Sequence, residues 1–242
     1  ESVIHKKYVG IVPELAFRSL IEMIWKVVDE ALSQAEVDLN DIDGIAVCYG
    51  PGLIGSLLVG CGFAKSVAYV KKKPLIAVNH LEGHLFSVFL EEKKPTFPFI
   101  SLIVSGGHTS LYIAHGFGRY EEFGRTRDDA AGEAYDKVAK LLGLGYPGGP
   151  KIDKLAKEGD PVAFAFPRAH MPESYDFSFS GMKTSVKLTV EKNSEQGIPD
   201  ERLIKNIAAS CQAAMVDVLV RKVERAVMDK AIHRVTMSGG VA

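Results

Sequence analysis

Cysteine is scarce in this chain: Cys48, Cys61 and Cys211 are odd in number and far apart. That spacing builds neither a disulfide framework nor a cysteine zinc site, and it favours a reducing compartment. Net charge is nearly absent as well, −1 over 242 residues. This excludes a global field that would draw the chain onto nucleic acid or an anionic membrane. A nucleic-acid partner must then be held by a local patch or by another subunit. Residues 1–7 (ESVIHKK) lack the apolar core of a signal peptide, so a cytoplasmic placement is expected. The chain has no initiating Met and ends on a strand that runs into a glycine turn, which suggests truncation at both ends.

One long uncharged stretch, 44–64, is long enough on paper to span a bilayer. It contains six glycines and Pro51, however, and a strand, a sharp turn and a buried helix account for it better. No membrane partner is expected. The overall balance, 47% hydrophobic and 24% charged, is that of an ordinary globular protein with a sizeable core.

Pro13 can open a helix, and Leu20, Ile21, Ile24, Val27, Val28, Ala31 and Leu32 recur at helical spacing behind it. A strand at 45–48, a Gly-Pro-Gly turn, a helix to about residue 70 and a buried strand at 75–78 follow. A helix is expected over 80–90. The β-rich runs 99–104 and 109–113 read as a hairpin closed by Ser105-Gly106-Gly107-His108. Further helices are expected over 129–142, after 176–181 and over 201–231, with a last strand at 233–237. Residues 143–150 read as irregular. Strands alternating with helices indicate an α/β protein. The repeat of Val104-Ser-Gly-Gly and Met237-Ser-Gly-Gly is a faint internal echo, as two lobes on one plan would give.

Three constellations can carry chemistry. His80 and His84 are four apart, so on a helix both imidazoles reach one cation. The competing reading is a helix start capped by Asn79 and Glu82, with the histidines merely flanking it. A zinc-peptidase reading is disfavoured on geometry, because Leu81 stands where the general-base Glu would follow the first His. Glu82 is rotated onward by about 100°. The second constellation is Ser105-Gly106-Gly107-His108-Thr109, whose bare amides can wrap a phosphate or simply make a hairpin turn. Glycine loops at 146–150 and 238–240 strengthen the case for a nucleotide cleft. The third is the acidic start of the 129–142 helix. There Asp128 and Asp129 read as cap and dipole partners, and Asp136 either faces a cleft or is solvated. Lys65, Arg125, Arg127 and Lys183 are cations beside such segments, which lone surface cations also explain.

In order along the chain, several stretches carry a resemblance. They are His5-Lys-Lys-Tyr with Val12-Pro-Glu-Leu-Ala, Tyr49-Gly-Pro-Gly-Leu-Ile-Gly-Ser-Leu-Leu-Val-Gly, Val78-Asn-His-Leu-Glu-Gly-His84 and Val104-Ser-Gly-Gly-His-Thr. Asp128-Asp-Ala-Ala-Gly-Glu-Ala-Tyr-Asp-Lys, Tyr146-Pro-Gly-Gly-Pro-Lys-Ile-Asp153 and Phe177-Ser-Phe-Ser-Gly-Met-Lys-Thr continue it. Together they resemble the TsaD family in its bacterial form, which transfers threonylcarbamoyl to transfer RNA.

The resemblance implies an actin-like ATPase fold of the sugar-kinase, heat-shock-chaperone and actin type, with two ribonuclease-H-like lobes. Residues 1–100 would be the remainder of the first lobe, and 101–242 a truncated second lobe. It implies transfer from threonylcarbamoyl-AMP to the exocyclic amine of the adenosine beside the anticodon. By position, His80 and His84 would hold one divalent metal, ferrous iron in preference to zinc. Ile103, Val104, Ser105, Gly106 and Gly107 would line the phosphates, and Asp136, Gly149 and Asp153 the ribose side of the adenylate (ATP or ADP being further ligands). No side chain is singled out as catalytic. Transfer RNA and TsaB-like and TsaE-like subunits would be the partners. A non-catalytic scaffold of the same complex is the alternative, with a metallopeptidase disfavoured.

Leu20 stands where the family usually has His, and Phe17 where it has a small residue. The family's opening strand and acidic hairpin motif are not in the sequence, nor are the Asn and Asp that usually follow Gly-Gly-Val-Ala. A two-histidine site should bind metal more weakly than a three-ligand one, and impaired catalysis is expected.

Overall fold

A computed structural model describes residues 13–169, 171–194 and 198–242. The chain divides into two compact units, Glu1–Gly83 and His84–Ala242. Both mix strands and helices, as the alternating sequence pattern predicts.

The first unit is built around a parallel β-α-β crossover. Helix α1 (Pro13–Gln34) precedes β1 (Ile45–Gly50), α2 (Ile54–Lys71) and β2 (Leu75–Asn79). β1 and β2 pair in parallel from Ile45↔Leu75 to Gly50↔Asn79, so the connection between them has to cross over, and α2 supplies it. The helix stops at Lys72, whose left-handed φ of 52° returns the chain toward β2. Gly55 lets α1 approach α2: a Cβ there would stand 2.7 Å from the Phe17 ring. Trp25 and Phe63 extend the same seam with ring centroids 6.2 Å apart. The apolar stripe expected on α1 is only partly covered. Ile24, Val28 and Leu32 are half-buried, whereas Ile21 is 58% and Val27 61% exposed.

Helix α3 (His80–Phe86) follows β2 without a break and gives way to a 3-10 turn over Ser87–Leu90, so the helix expected over 80–90 is α-helical for only its first half. In the second unit, β3 (Phe99–Val104) and β4 (Thr109–Gly116) form the expected hairpin. β5 (Arg119–Arg125) extends it on one side and β6 (Val235–Ser238) on the other, in the order β5-β4-β3-β6. All six residues of β3 are buried. That explains its unbroken Phe-Ile-Ser-Leu-Ile-Val run, since a strand covered on both faces need not alternate. β5 went unseen in the sequence because Arg-Tyr-Glu-Glu-Phe-Gly-Arg is largely charged; as an edge strand it leaves most of that charge in water.

Helices α4 (Ala131–Leu141), α5 (Gly149–Ala156), α6 (Ser180–Asn193) and α7 (Glu201–Lys230) complete the unit. One sheet face presents Ile100, Leu102, Val104, Leu111 and Ile113 to a core shared with Val138, Ile152, Val186, Ile207 and Met215. In α7, the residues whose spacing predicts a helix, Leu203, Ile207, Cys211, Ala214 and Val218, are all buried. Asp200 caps the start of α7 by accepting from the Leu203 amide at 2.7 Å. Burial pushes the Cys211 thiol up to about 12, which leaves it an inert core residue. Helices α2 and α7 are both long and apolar enough to cross a membrane by length and composition. Half of the α7 window lies in this core, which accounts for its hydropathy.

Four expectations are corrected here. The helix expected to be buried, α2, buries only Ala64 and Ala68, and the strand expected to be buried, β2, leaves Leu75, Ile76 and Ala77 exposed. Residues 149–150, expected to be irregular, open α5, because Pro150 falls in the first turn where its missing N–H costs nothing. The echo between the two Ser-Gly-Gly segments does not mark two lobes. β3 and β6 are parallel neighbours in one sheet, with Ile103 opposite Ser238, so both glycine turns leave the same sheet edge.

Candidate functional site

The C-terminal edge of β3 and β6 is where a parallel pair offers backbone amides to a ligand. After β3 the chain turns tightly: Ser105 N–H donates to His108 C=O at 2.8 Å, and His108 N–H donates to Ser105 Oγ at 3.0 Å. Gly106 and Gly107 protrude from this turn, exposed, with open space where a Cβ would stand. Among the described residues neither amide is used in a hydrogen bond. Ile103 and Val104, by contrast, are 0% and 1% exposed, backbone included, and Val104 C=O already accepts the Val241 N–H, so they lie beneath the turn and not on its open face.

Two other segments close on this turn. The first is the start of α4, where Gly132 sits so near that a Cβ would stand 2.6 Å from Gly106 Cα and 2.7 Å from Ser105 O. Gly132 N–H donates to Ser105 C=O at 3.3 Å, and buried Thr109 accepts the Ala131 N–H through Oγ1 at 2.9 Å. Thr109 is thus an anchor whose role local sequence does not signal, since Ser110 beside it carries a hydroxyl as well. The second segment is the turn after β6. Gly239, at φ +109°, lies against Val104 O, where a Cβ would be 2.2 Å away, and Val241 N–H donates to the same oxygen at 3.1 Å. Only glycine fits there. Two glycine turns and a helix N-terminus therefore converge within one unit, an arrangement suited to an anion.

Asp136 lies one turn beyond Gly132 on the same helix face. It is half-buried and accepts the Gly148 N–H through Oδ1 at 2.7 Å. Burial raises its carboxyl above the usual range, partly offset by that hydrogen bond, with the Glu133 charge adding to the rise. Gly148 has to be glycine because a Cβ would stand 2.6 Å from Ala139 Cβ and 2.8 Å from Asp136 Cα. Asp136 and the Gly148-Gly149 start of α5 are thereby brought together. Asp153, one helical turn beyond Gly149, is exposed. Its carboxylate is held below the usual range by the Lys157 ammonium at 2.8 Å and by Gln212 at 3.3 Å.

The acidic pair ahead of α4 behaves differently from the sequence expectation. Asp128 does not cap α4. Ala130 is the cap position, and Glu133 reaches back to its amide at 3.1 Å. Asp128 instead spans to the start of α6, accepting from the Phe179 amide at 2.8 Å, the Ser180 amide at 3.2 Å and Ser180 Oγ at 2.9 Å, and from Ser178 Oγ. Burial pulls its pKa upward, but these bonds outweigh it and hold the carboxyl below its ordinary value. Asp129 pairs with Lys137, and Arg127 with Asp176 at 2.8 Å. Asp128→Ala should therefore cost about 1–2 kcal/mol in urea unfolding at pH 7, the loss of a helix cap. A depressed folded pKa gives stability that is full above the unfolded value of about 3.9 and fades as pH falls through the folded one. The gap between variant and wild type should close over that acid range.

His80 and His84 both lie in α3, with Asn79 Oδ1 accepting the Leu81 amide at 2.9 Å and the Glu82 amide at 3.3 Å. The helix thus keeps the i, i+4 spacing that lets two imidazoles share a cation. The donor set fits a soft-to-borderline divalent metal as far as two ligands go. Among the described residues no group of three His, Cys, Asp or Glu is placed to hold one. Lys65 and Lys183 are exposed, and Arg125 pairs loosely with Glu122 at 3.9 Å.

The family model described as TsaD, tRNA N6-adenosine threonylcarbamoyltransferase, matches residues 1–242. A tRNA N6-adenosine threonylcarbamoyltransferase of Thermodesulfovibrio yellowstonii is 60% identical over 240 residues, covering 98% of this chain and 72% of that protein. One of the same name from Syntrophus aciditrophicus is 52% identical over 98% of this chain and 70% of its own length. Among solved structures, YeaZ from Pseudomonas aeruginosa overlaps 41% of this chain and 48% of its own at 20% identity and a TM-score of 0.33, too loose a match to carry an argument. A full-length family match and relatives this similar fix the assignment: the chain belongs to the TsaD family of tRNA N6-adenosine threonylcarbamoyltransferases.

Proposed function

We propose that this chain transfers the threonylcarbamoyl group of threonylcarbamoyl-AMP to the exocyclic N6 amine of the adenosine beside the anticodon in transfer RNA. The observation that carries the reading is the convergence of Gly106, Gly107 and the start of α4 at one sheet edge. In the reaction the N6 amine attacks the carbamoyl carbon, the bond from that carbon to the phosphate oxygen breaks, AMP departs and the amine loses a proton. The Gly106 and Gly107 amides would hold the phosphate and stabilise the charge it gains on leaving. Asp136, with one oxygen committed to Gly148, would offer the other to a ribose hydroxyl, with Gly149 and Asp153 on the same side. An aromatic-conjugated amine is a poor nucleophile, so fixing its position against the carbamoyl carbon supplies much of the acceleration.

A divalent metal held by His80 and His84, ferrous iron in preference to zinc, would supply Lewis-acid polarisation of an oxygen. An actin-like arrangement of two ribonuclease-H-like lobes, TsaB-like and TsaE-like partners and a cytoplasmic setting without a membrane belong to the same reading. They rest on family membership. The test supplies the chain with threonylcarbamoyl-AMP, unmodified transfer RNA, ferrous or zinc ion and the two bacterial partner subunits. Nucleoside mass spectrometry then reads threonylcarbamoyladenosine. Product is the expected result. None formed, beside an active full-length relative, would overturn the reading for this chain.

A further inference from the structure

A second concave site shares no residue with the glycine turns. A cavity of about 370 Å³ opens on the α7 surface, and four cations line it: Arg168, Arg221, Lys222 and Arg225. Among the described residues no carboxylate lines it, although Asp217 and Asp229 pair with two of its cations. Three of the four cations are held in place. Arg168 Nε donates to Asp217 Oδ2 at 2.6 Å and Arg225 Nε to Asp229 Oδ2 at 3.1 Å. Lys222, only 7% exposed, donates to Met171 C=O at 2.7 Å and to Ser174 C=O, and Arg225 Nη1 donates to Pro172 C=O. Those bonds tie the segment ahead of α6 onto α7 and shape the cavity wall. Arg221 is exposed and makes no ion pair among the described residues. Burial lowers the Lys222 ammonium pKa, and the Arg225 charge lowers it further while Asp176 opposes.

We propose that this pocket binds a phosphodiester of the transfer RNA backbone and so docks the substrate strand. The proposal rests on transfer RNA being the substrate. With a net charge of −1, the chain has no global field to hold RNA, and a local cluster of this kind is one of the two ways, beside another subunit, in which RNA can be held. Guanidinium groups match phosphate oxygens in paired hydrogen bonds, and the apolar wall of Val218 and Pro172 suits a ribose face.

Fluorescence anisotropy of a labelled transfer RNA, titrated with wild type, Arg221→Ala and Arg221→Lys over a salt series, tests it. Arg221→Ala should weaken binding roughly fivefold at low salt and reduce the log–log salt slope by about 1, one phosphate contact. Arg221→Lys should restore most of both. The melting temperature should not move, because Arg221 is exposed. Equal affinity and slope in Arg221→Ala would overturn the pocket assignment and leave the substrate reading standing. Transfer RNA not bound by wild type would likewise overturn the pocket assignment. Inorganic phosphate bound by wild type and lost in Arg221→Ala, with transfer RNA affinity unchanged, would assign the pocket to a free anion and also overturn the proposal.

Discussion

Gly132→Ala is expected to destabilise the second unit by about 2 kcal/mol, whereas Gly106→Ala leaves the fold intact and removes nucleotide affinity. The two glycines face one another across the same contact, yet their surroundings differ. A methyl on Gly132 would meet Gly106 Cα at 2.6 Å and Ser105 O at 2.7 Å, both backbone atoms that cannot rotate away. Separating α4 from the β3 turn also stretches the bond from Gly132 N–H to Ser105 C=O, already 3.3 Å long. Overpacking of this kind costs about 3 kcal/mol. The better helix propensity of Ala returns up to about 1 kcal/mol. At Gly106 nothing lies within 4 Å of the added methyl, and the backbone is not left-handed, so the folded state tolerates it. The methyl instead occupies the approach to the exposed amides. Calorimetric titration with ATP should show at least about a tenfold loss of affinity for Gly106→Ala, as close backbone approach to a phosphate is blocked. Thermal unfolding should move only for Gly132→Ala. Unchanged ATP affinity in Gly106→Ala would reduce the turn to a hairpin connection.

These contacts also explain which parts of the molecule the sequence made legible. The buried strand β3 was readable as an unbroken β-rich run, and the long helix α7 because its apolar residues keep helical spacing. The Ser-Gly-Gly turn was readable as a candidate anion site because its residues are contiguous. What glues it to α4 was not, since Thr109 to Ala131 and Gly132 to Ser105 are contacts between residues more than twenty apart. Asp128 shows the same limit. Its position before a helix is a local signal for a cap, and tertiary context sent it to a different helix 51 residues on. β5 failed for another reason: an edge strand that faces water need not carry a hydrophobic pattern. The exposed apolar residues of α1, Ile21 and Val27, sit on a face that periodicity marks as buried. Within the described unit nothing covers them fully.

Replacing His80 and His84 together by Ala should abolish metal-dependent transfer by at least about a hundredfold while leaving the melting temperature of the metal-free protein within a degree or two. The expectation of a harmless fold follows from the local structure. Asn79 caps α3 through its own side chain, Leu85 is the residue of that helix buried in the core, and His80 is exposed. Ala is also the better helix former at both positions. The expectation of a large functional loss follows from the donor count. With two imidazoles as the protein's contribution, removing both leaves no first ligand, and a Lewis acid at a reacting oxygen contributes several kcal/mol to the transition state. Metal content after dialysis, read by elemental mass spectrometry, separates the readings. A wild type that retains about one ferrous or zinc ion and a double variant that retains none would place the metal on α3. Equal metal content in both would put the ion elsewhere. A double variant that unfolds would make the histidines structural and overturn the metal site. Single variants add a further check, because one remaining imidazole should hold the ion weakly enough that added metal restores product in each single variant and in neither case rescues the double.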